Sequence, residues 1–187
     1  MAAELFNQSS SGRKNAAAAA AMDGSGLLPT YSYASFGNTP AATATNILTL
    51  AGAAGKIIKI RSVFISGIAT TAGSLRTDLV KRSTADSGGT ATTPTGVAWD
   101  SQNPTAAATL ALYTANPTVG TAVGILATRR VFLNLTTAVI DRMVESFGIR
   151  WESPIVIRES EYFSISHAGA TIPSGGVVDL GITWTEE

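Results

Sequence analysis

The sequence contains no cysteine, one histidine, and only 14% charged residues against the roughly 25% usual in globular chains. Without cysteine there are no disulfides, thiolate metal ligands or cysteine nucleophiles, and one imidazole cannot furnish a site that needs two. Thirteen basic and thirteen acidic side chains cancel, leaving none of the clustered positive charge that phosphate contacts require. Nucleic acid is not an expected partner. No apolar run approaches the roughly 18 residues of a membrane helix, and no basic stretch, apolar core and cleavage site follow one another at the N-terminus. Membrane insertion and Sec export are therefore not expected. What the chain does have is alanine, threonine and glycine, 30, 24 and 18 of its 187 residues. That composition gives a bland polar surface, a length suited to one domain or one domain plus an arm, and a field narrowed to binding or structural proteins.

Residues 1–30 differ from the rest. A polar stretch, Asn7 to Gly12, precedes Arg13-Lys14-Asn15, the alanine run Ala16–Ala21 and Met22. Alanine has the best helix propensity, but one or two isolated helical turns are marginal in water because nucleation is costly. Order in this arm is expected only against another surface. Asp23-Gly-Ser-Gly26 is a joint, and Leu27-Leu28-Pro29 gives the first apolar contact of a body spanning 31–187.

From Tyr31 onward, Gly, Pro, Asn and Thr punctuate short segments rich in β-branched residues, which predicts an all-β body. Lys56–Ser66 reads as a central strand. Leu75, Thr77 and Leu79 alternate with Arg76, Asp78 and Val80, the period of a strand with one wetter face. Further strands are expected at Thr109–Tyr113, Val119–Leu126 and Arg130–Leu135, the last two separated by a turn around Thr128. Met143, Phe147, Ile149 and Trp151 share one parity, Ile155–Ile157 follows Pro154, and Val178, Leu180, Ile182 and Trp184 mark an inward face. Eight to ten strands suffice for two packed sheets, and a jelly-roll-like antiparallel β-sandwich with an extended N-terminal arm is the expected fold. Thr137–Met143 is the one short helix expected in the body.

Few residues invite chemistry. Ala51–Lys56 resembles a phosphate-binding loop but has Leu50 where glycine is needed and Ile57 where a hydroxyl is needed, so it reads as a turn before a strand. His167 would need a carboxylate such as Asp179 to act as an acid or base, and nothing in the spacing supports that; a packing or rim position is expected. Asp78, Asp86, Asp100, Asp141, Glu145, Glu152, Glu159 and Glu161 are scattered, with no glycosidase or metal spacing, and read as loop or solubility charges. No catalytic residue, metal or cofactor is assigned. Arg129-Arg130 follows the 28 uncharged residues Ser101–Thr128 and is either a clamp for a neighbouring subunit's carboxylate or an edge charge that blocks strand pairing. Trp99 lies in a Pro- and Gly-rich loop, where core or half-core placement is expected and exposure would make it an interface anchor.

Leu79–Thr90, Leu112–Gly120, Arg129–Leu133 and the closing Gly181–Glu187 together resemble small virion proteins of tailed bacteriophages, over roughly residues 56–187. The resemblance implies a non-enzymatic structural protein located in the virion. A capsid decoration, or cement, protein on the outer surface of the major capsid protein shell is the leading expectation; a tail, baseplate or head-fibre component and a carbohydrate- or receptor-binding sandwich are the alternatives. The arm resembles the extended arms by which cement proteins reach adjacent capsomers. Leu5, Phe6, Arg13, Lys14, Met22, Leu27 and Leu28 are its candidate capsid contacts. The major capsid protein is then the expected partner and a homotrimer the expected assembly, with Arg129, Arg130, Trp99 and Tyr113 as candidate subunit-interface residues.

Overall fold

The computed structural model describes residues 28–135, 141–148 and 153–187. These form β1 (Thr30–Asn38), β2 (Thr43–Ala51), β3 (Ile58–Ile68), β4 (Gly73–Arg82), β5 (Thr90–Thr92), β6 (Val97–Ala98), β7 (Thr109–Ala115), β8 (Ala122–Leu133), β9 (Arg142–Ser146), β10 (Ile155–Ile157), β11 (Tyr162–Thr171) and β12 (Val177–Glu186). Two antiparallel sheets pack face to face. The first runs β10-β3-β12-β1-β6, with β9 also pairing with β3; the second runs β5-β7-β2-β11-β4-β8. The cores of the two orders, β9/β10-β3-β12-β1 and β4 flanked by β8 and β11 with β2 beyond, are those of a jelly roll, extended at two edges by β5, β6 and β7. The expected β-sandwich is thus the observed one.

Inward faces follow the period-2 pattern. Val178, Leu180, Ile182 and Trp184 are buried, as are Leu75 opposite Val131 and Leu79 opposite Ile165. Trp184 stacks on Tyr31 with ring centroids 5.9 Å apart. The loop before β6 passes so close to this indole that a Cβ at Gly96 would lie 2.4 Å from it, so the position takes glycine alone. The Trp184 Nε1–H donates to the buried Glu186 carboxylate at 2.9 Å, and that carboxylate also accepts from the Ala107 and Ala108 amides at 2.9 and 3.0 Å. Three N–H donors replace the water the carboxylate gives up on burial.

Three local expectations are corrected. Arg142 and Met143 belong to a strand, β9, and not to a helix, because they pair with Ser66 and Ile65 of β3; residues 137–140 of the expected helix lie outside the described residues, as do Ile149 and Trp151. Val119–Leu126 and Arg130–Leu135 are not separated by a turn at Thr128. Thr128 instead pairs with Asp78 inside one continuous strand, β8. Arg82, Asp78 and Val80, on the parity expected to be wet, are 5%, 1% and 5% exposed: Arg82 is covered by the loop that carries Gly120, and Asp78 is held by Arg76 and Thr128.

Candidate functional site

That cover is fixed by a polar network. Asp86, in the loop after β4, accepts from Asn46 Nδ2 at 2.8 and 3.0 Å, from Thr49 Oγ1 at 2.7 Å and from the Gly120 amide at 2.9 Å. Arg82 reaches the same group of residues, donating to Asn46 Oδ1 at 2.9 Å, Ser164 Oγ at 3.3 Å and the Gly120 carbonyl at 2.6 Å. Burial lowers the Arg82 pKa, and the Asp86 charge opposes that shift. Tyr113 joins the network: burial first, then the charge and hydrogen bond of Asp86, push its phenol up to about 12. The half-buried Tyr113 phenol thus belongs to the group around Asp86. Two loops, held together by the Ser87–Thr118 amide pair, are pinned to the sheet in this way. Asp86 and Asp78 are thus structural charges rather than loop or solubility charges, Asp78 accepting a two-pronged grip from Arg76 at 2.9 and 2.7 Å and a bond from Thr128.

Beyond the network the same face turns apolar. The β4–β8 register slips between Leu79 and Val80 and again between Lys81 and Arg82, leaving Leu126 and Val123 as extra residues in β8. Such bulges swing side chains outward and blunt an edge against further strand pairing. Val123, Ile125 and Leu126 are 63%, 55% and 46% exposed. Beside them lies a hollow of about 380 Å³ between β4, β8 and the end of β11, with Val80, Val119, Ala122 and Ile125 among its walls. The first sheet has its own outward apolar residues: Phe64 pairs with Val144 across β3 and β9, and Phe36, Val97 and Trp99 stand along β1 and β6. Trp99 is exposed rather than in the core, because its neighbour Ala98 takes the inward position opposite Tyr31.

No protein-family model, curated protein or solved structure matches the chain.

The remaining candidates separate. Arg129 Nε meets Glu145 Oε1 at 2.7 Å, an ion pair joining the edge strands β8 and β9 of opposite sheets, whereas among the described residues Arg130 reaches only Ser74 Oγ, at 3.3 Å. His167 is wholly buried. Its Nδ1 lies 2.9 Å from the Arg76 carbonyl and 3.3 Å from Thr77 Oγ1, and its Nε2 has no hydrogen-bond partner among the described residues. Burial lowers its pKa to about 4, the Arg76 carbonyl and the Asp78 charge opposing. A packing role was expected of this residue, and the orphan Nε2 could not be read from spacing. Asp179 stands in the other sheet, accepting from the Gly37 amide at 2.9 Å, so it forms no acid–base pair with His167. Ala51–Lys56 is a turn, where a Cβ at Gly52 would lie 1.9 Å from the Arg158 carbonyl. Among the described residues no three His, Asp or Glu side chains gather as for a metal ion, and no helix is long and apolar enough to cross a membrane. Leu28 is half-buried at the start of the body, its carbonyl accepting from Thr30; Leu5, Phe6, Arg13, Lys14, Met22 and Leu27 lie outside the described residues.

Proposed function

We propose that this chain is a non-enzymatic capsid decoration protein of a tailed bacteriophage, binding the outer surface of the major capsid protein shell through its first 30 residues and an apolar outer face, as a homotrimer. The observation that carries this reading is the outward-turned apolar group Val123, Ile125 and Leu126 beside its hollow, on a face where Arg82 and Asp86 hold loops and Asp78 is paired with Arg76. Contiguous exposed apolar surface of this kind marks protein contact. The resemblance of residues 56–187 to virion proteins supplies the partner, and the absence of net charge lets like copies crowd on a shell. The test is sedimentation of the protein with shells that lack it. The full chain is expected to cosediment, and a chain without residues 1–27, which keeps β1 whole, is expected to stay in the supernatant. Equal binding by the two would remove the arm from the mechanism.

The exposed Trp99 favours a second reading, a receptor- or carbohydrate-binding sandwich, since an indole at the surface can stack on a sugar face. Glycan-array binding abolished by Trp99→Ala would favour it over decoration.

A further inference from the structure

On the outer face of the first sheet, the register of β1, β12 and β3 sets two phenyl rings around one carboxylate. Phe36 and Gly37 of β1 stand together opposite Asp179 of β12, because that pairing slips between Ser35 and Asn38. Across β12, Ser66 of β3 is opposite Asp179 and Phe64 is opposite Gly181. Phe36 is 88% exposed and Phe64 37%. Between the two rings lies a hollow of about 280 Å³, with Ala34, Ser35 and Asp179 also in its walls. The bulge that turns Phe36 out is pinned. The Gly37 amide, at a φ of 75°, donates to Asp179 Oδ1 at 2.9 Å, Ser66 Oγ donates to Oδ2 at 3.5 Å, and Asn38 Nδ2 donates to the Val178 carbonyl at 2.9 Å. A carboxylate has about four acceptor positions, so each oxygen has room for a further donor. Among the described residues no cation pairs with Asp179, Arg142 on the same row of the sheet included.

Gly181 points to what fills the hollow. It sits mid-strand between Ala34 and Phe64, where glycine weakens a strand and offers no side chain to pack. Its φ is not positive, and a Cβ there would meet nothing closer than the Tyr33 carbonyl at 3.5 Å and Phe64 Cδ1 at 3.7 Å. The fold does not demand glycine at this position; a group that approaches the strand closely from outside does. We infer that the hollow receives an arginine side chain of a partner protein, its guanidinium over Gly181 between Phe36 and Phe64 and bonded to the Asp179 carboxylate. The volume lies below the roughly 300–1,000 Å³ of small-molecule clefts and suits one inserted side chain. Phe36 and Phe64 flank β12 two residues apart along it, which puts their Cα atoms about 12 Å apart. A planar group held midway has a phenyl ring about 6 Å away on either side, the reach of a cation–π contact. Guanidinium is flat enough to stack and forked enough to grip a carboxylate, whereas the lysine ammonium is neither. This face is separate from the β8 group, so the site goes beyond the decoration reading and does not rest on it.

NMR titration of the isolated protein tests the assignment. The probes are N-acetyl-arginine amide, N-acetyl-citrulline amide, which has nearly the same shape without the charge, and methyl glucoside. The arginine compound is expected to move the amide signals of Ala34, Gly37, Phe64 and Gly181 and to bind roughly tenfold more tightly than the citrulline compound. Phe64→Ala and Asp179→Asn should each abolish that preference. Gly181→Ala separates binding from folding: its Cβ has room, so the unfolding midpoint should stay at or above that of the native chain while arginine binding weakens several-fold. Equal binding of the arginine and citrulline compounds, shifts scattered over acidic residues elsewhere, or native binding by the Gly181→Ala chain would each overturn the inference. So would methyl glucoside moving the same amides more strongly, which would assign the hollow to a glycan. None of these outcomes involves shells, so failure here leaves the decoration reading to its own test.

Discussion

The second sheet presents two outer surfaces on one plane, and they do opposite things with the same strand parity. Across β2, β11 and the end of β4, outward residues Asn46, Thr49, Ser164 and Arg82 form a polar bed on which Asp86 and Gly120 seat two loops. Along β8, outward residues are Val123, Ile125 and Leu126, and among the described residues nothing covers them. Polar residues are thus spent inside the structure while apolar ones face outward, an inversion of the usual arrangement. It makes sense where the loops must stay fixed and the edge must meet another surface.

Asp86→Ala breaks the first region most severely. It removes the acceptor of Asn46, Thr49, Gly120 and Tyr113 and leaves Arg82 buried without its counter-charge, at a cost of about 3 kcal/mol or more, to be read by denaturant unfolding. Faster proteolysis within residues 83–89 and 116–121 should accompany it.

Acid supplies the next effect. The folded-state pKa of His167 lies near 4, below the ordinary 6.5, so the unfolded chain binds its proton first. The contribution is complete above about pH 6.5 and falls away towards pH 4, by roughly 3 kcal/mol from a shift of that size. His167→Phe should flatten unfolding free energy against pH between 6.5 and 5, where most carboxylates stay charged; an unchanged slope would remove His167 as its cause.

The apolar region sharpens the comparison by showing almost no effect on stability. Ile125→Asp is expected to change unfolding free energy by no more than about 0.5 kcal/mol, as surface substitutions do, while weakening shell binding at least tenfold. Smallest of all is Trp99→Ala, expected to leave both stability and shell binding near wild type because its ring touches neither the network nor β8. Loss of shell binding there would move the docking face to the first sheet.

Much of the sandwich was legible because one-sided burial writes a period of two into the sequence. β12 shows it plainly, and so do Leu75 and Leu79 of β4. The turn misread at Thr128 has a physical reason: two bulges in β8 shift parity, so the residues on either side look like separate strands. Met143 falls in the helix expected over Thr137–Met143, and a seven-residue segment does not distinguish a helix from a strand until its pairing with β3 is known. Sites were less legible than fold. Asp86, Asn46, Thr49, Arg82 and Ser164 are spread over about 120 residues of chain, and only the sheet register brings them together. Arg129 and Arg130 stand out at the boundary of the uncharged stretch, but their divergence, one paired with Glu145 and the other bonded to Ser74, comes from β9 and has no sequence signal. The outward Val123 and Leu126 had none either, since a bulge is a property of two strands at once.

Quantitative mass spectrometry of purified particles tests the central claim most directly, by counting copies of this chain against the major capsid protein. Decoration of the shell predicts a ratio approaching one to one, or one trimer per local three-fold. A few to a few dozen copies per particle would contradict it and place the chain in the tail, connector or fibre, and absence from particles would contradict the virion reading as a whole.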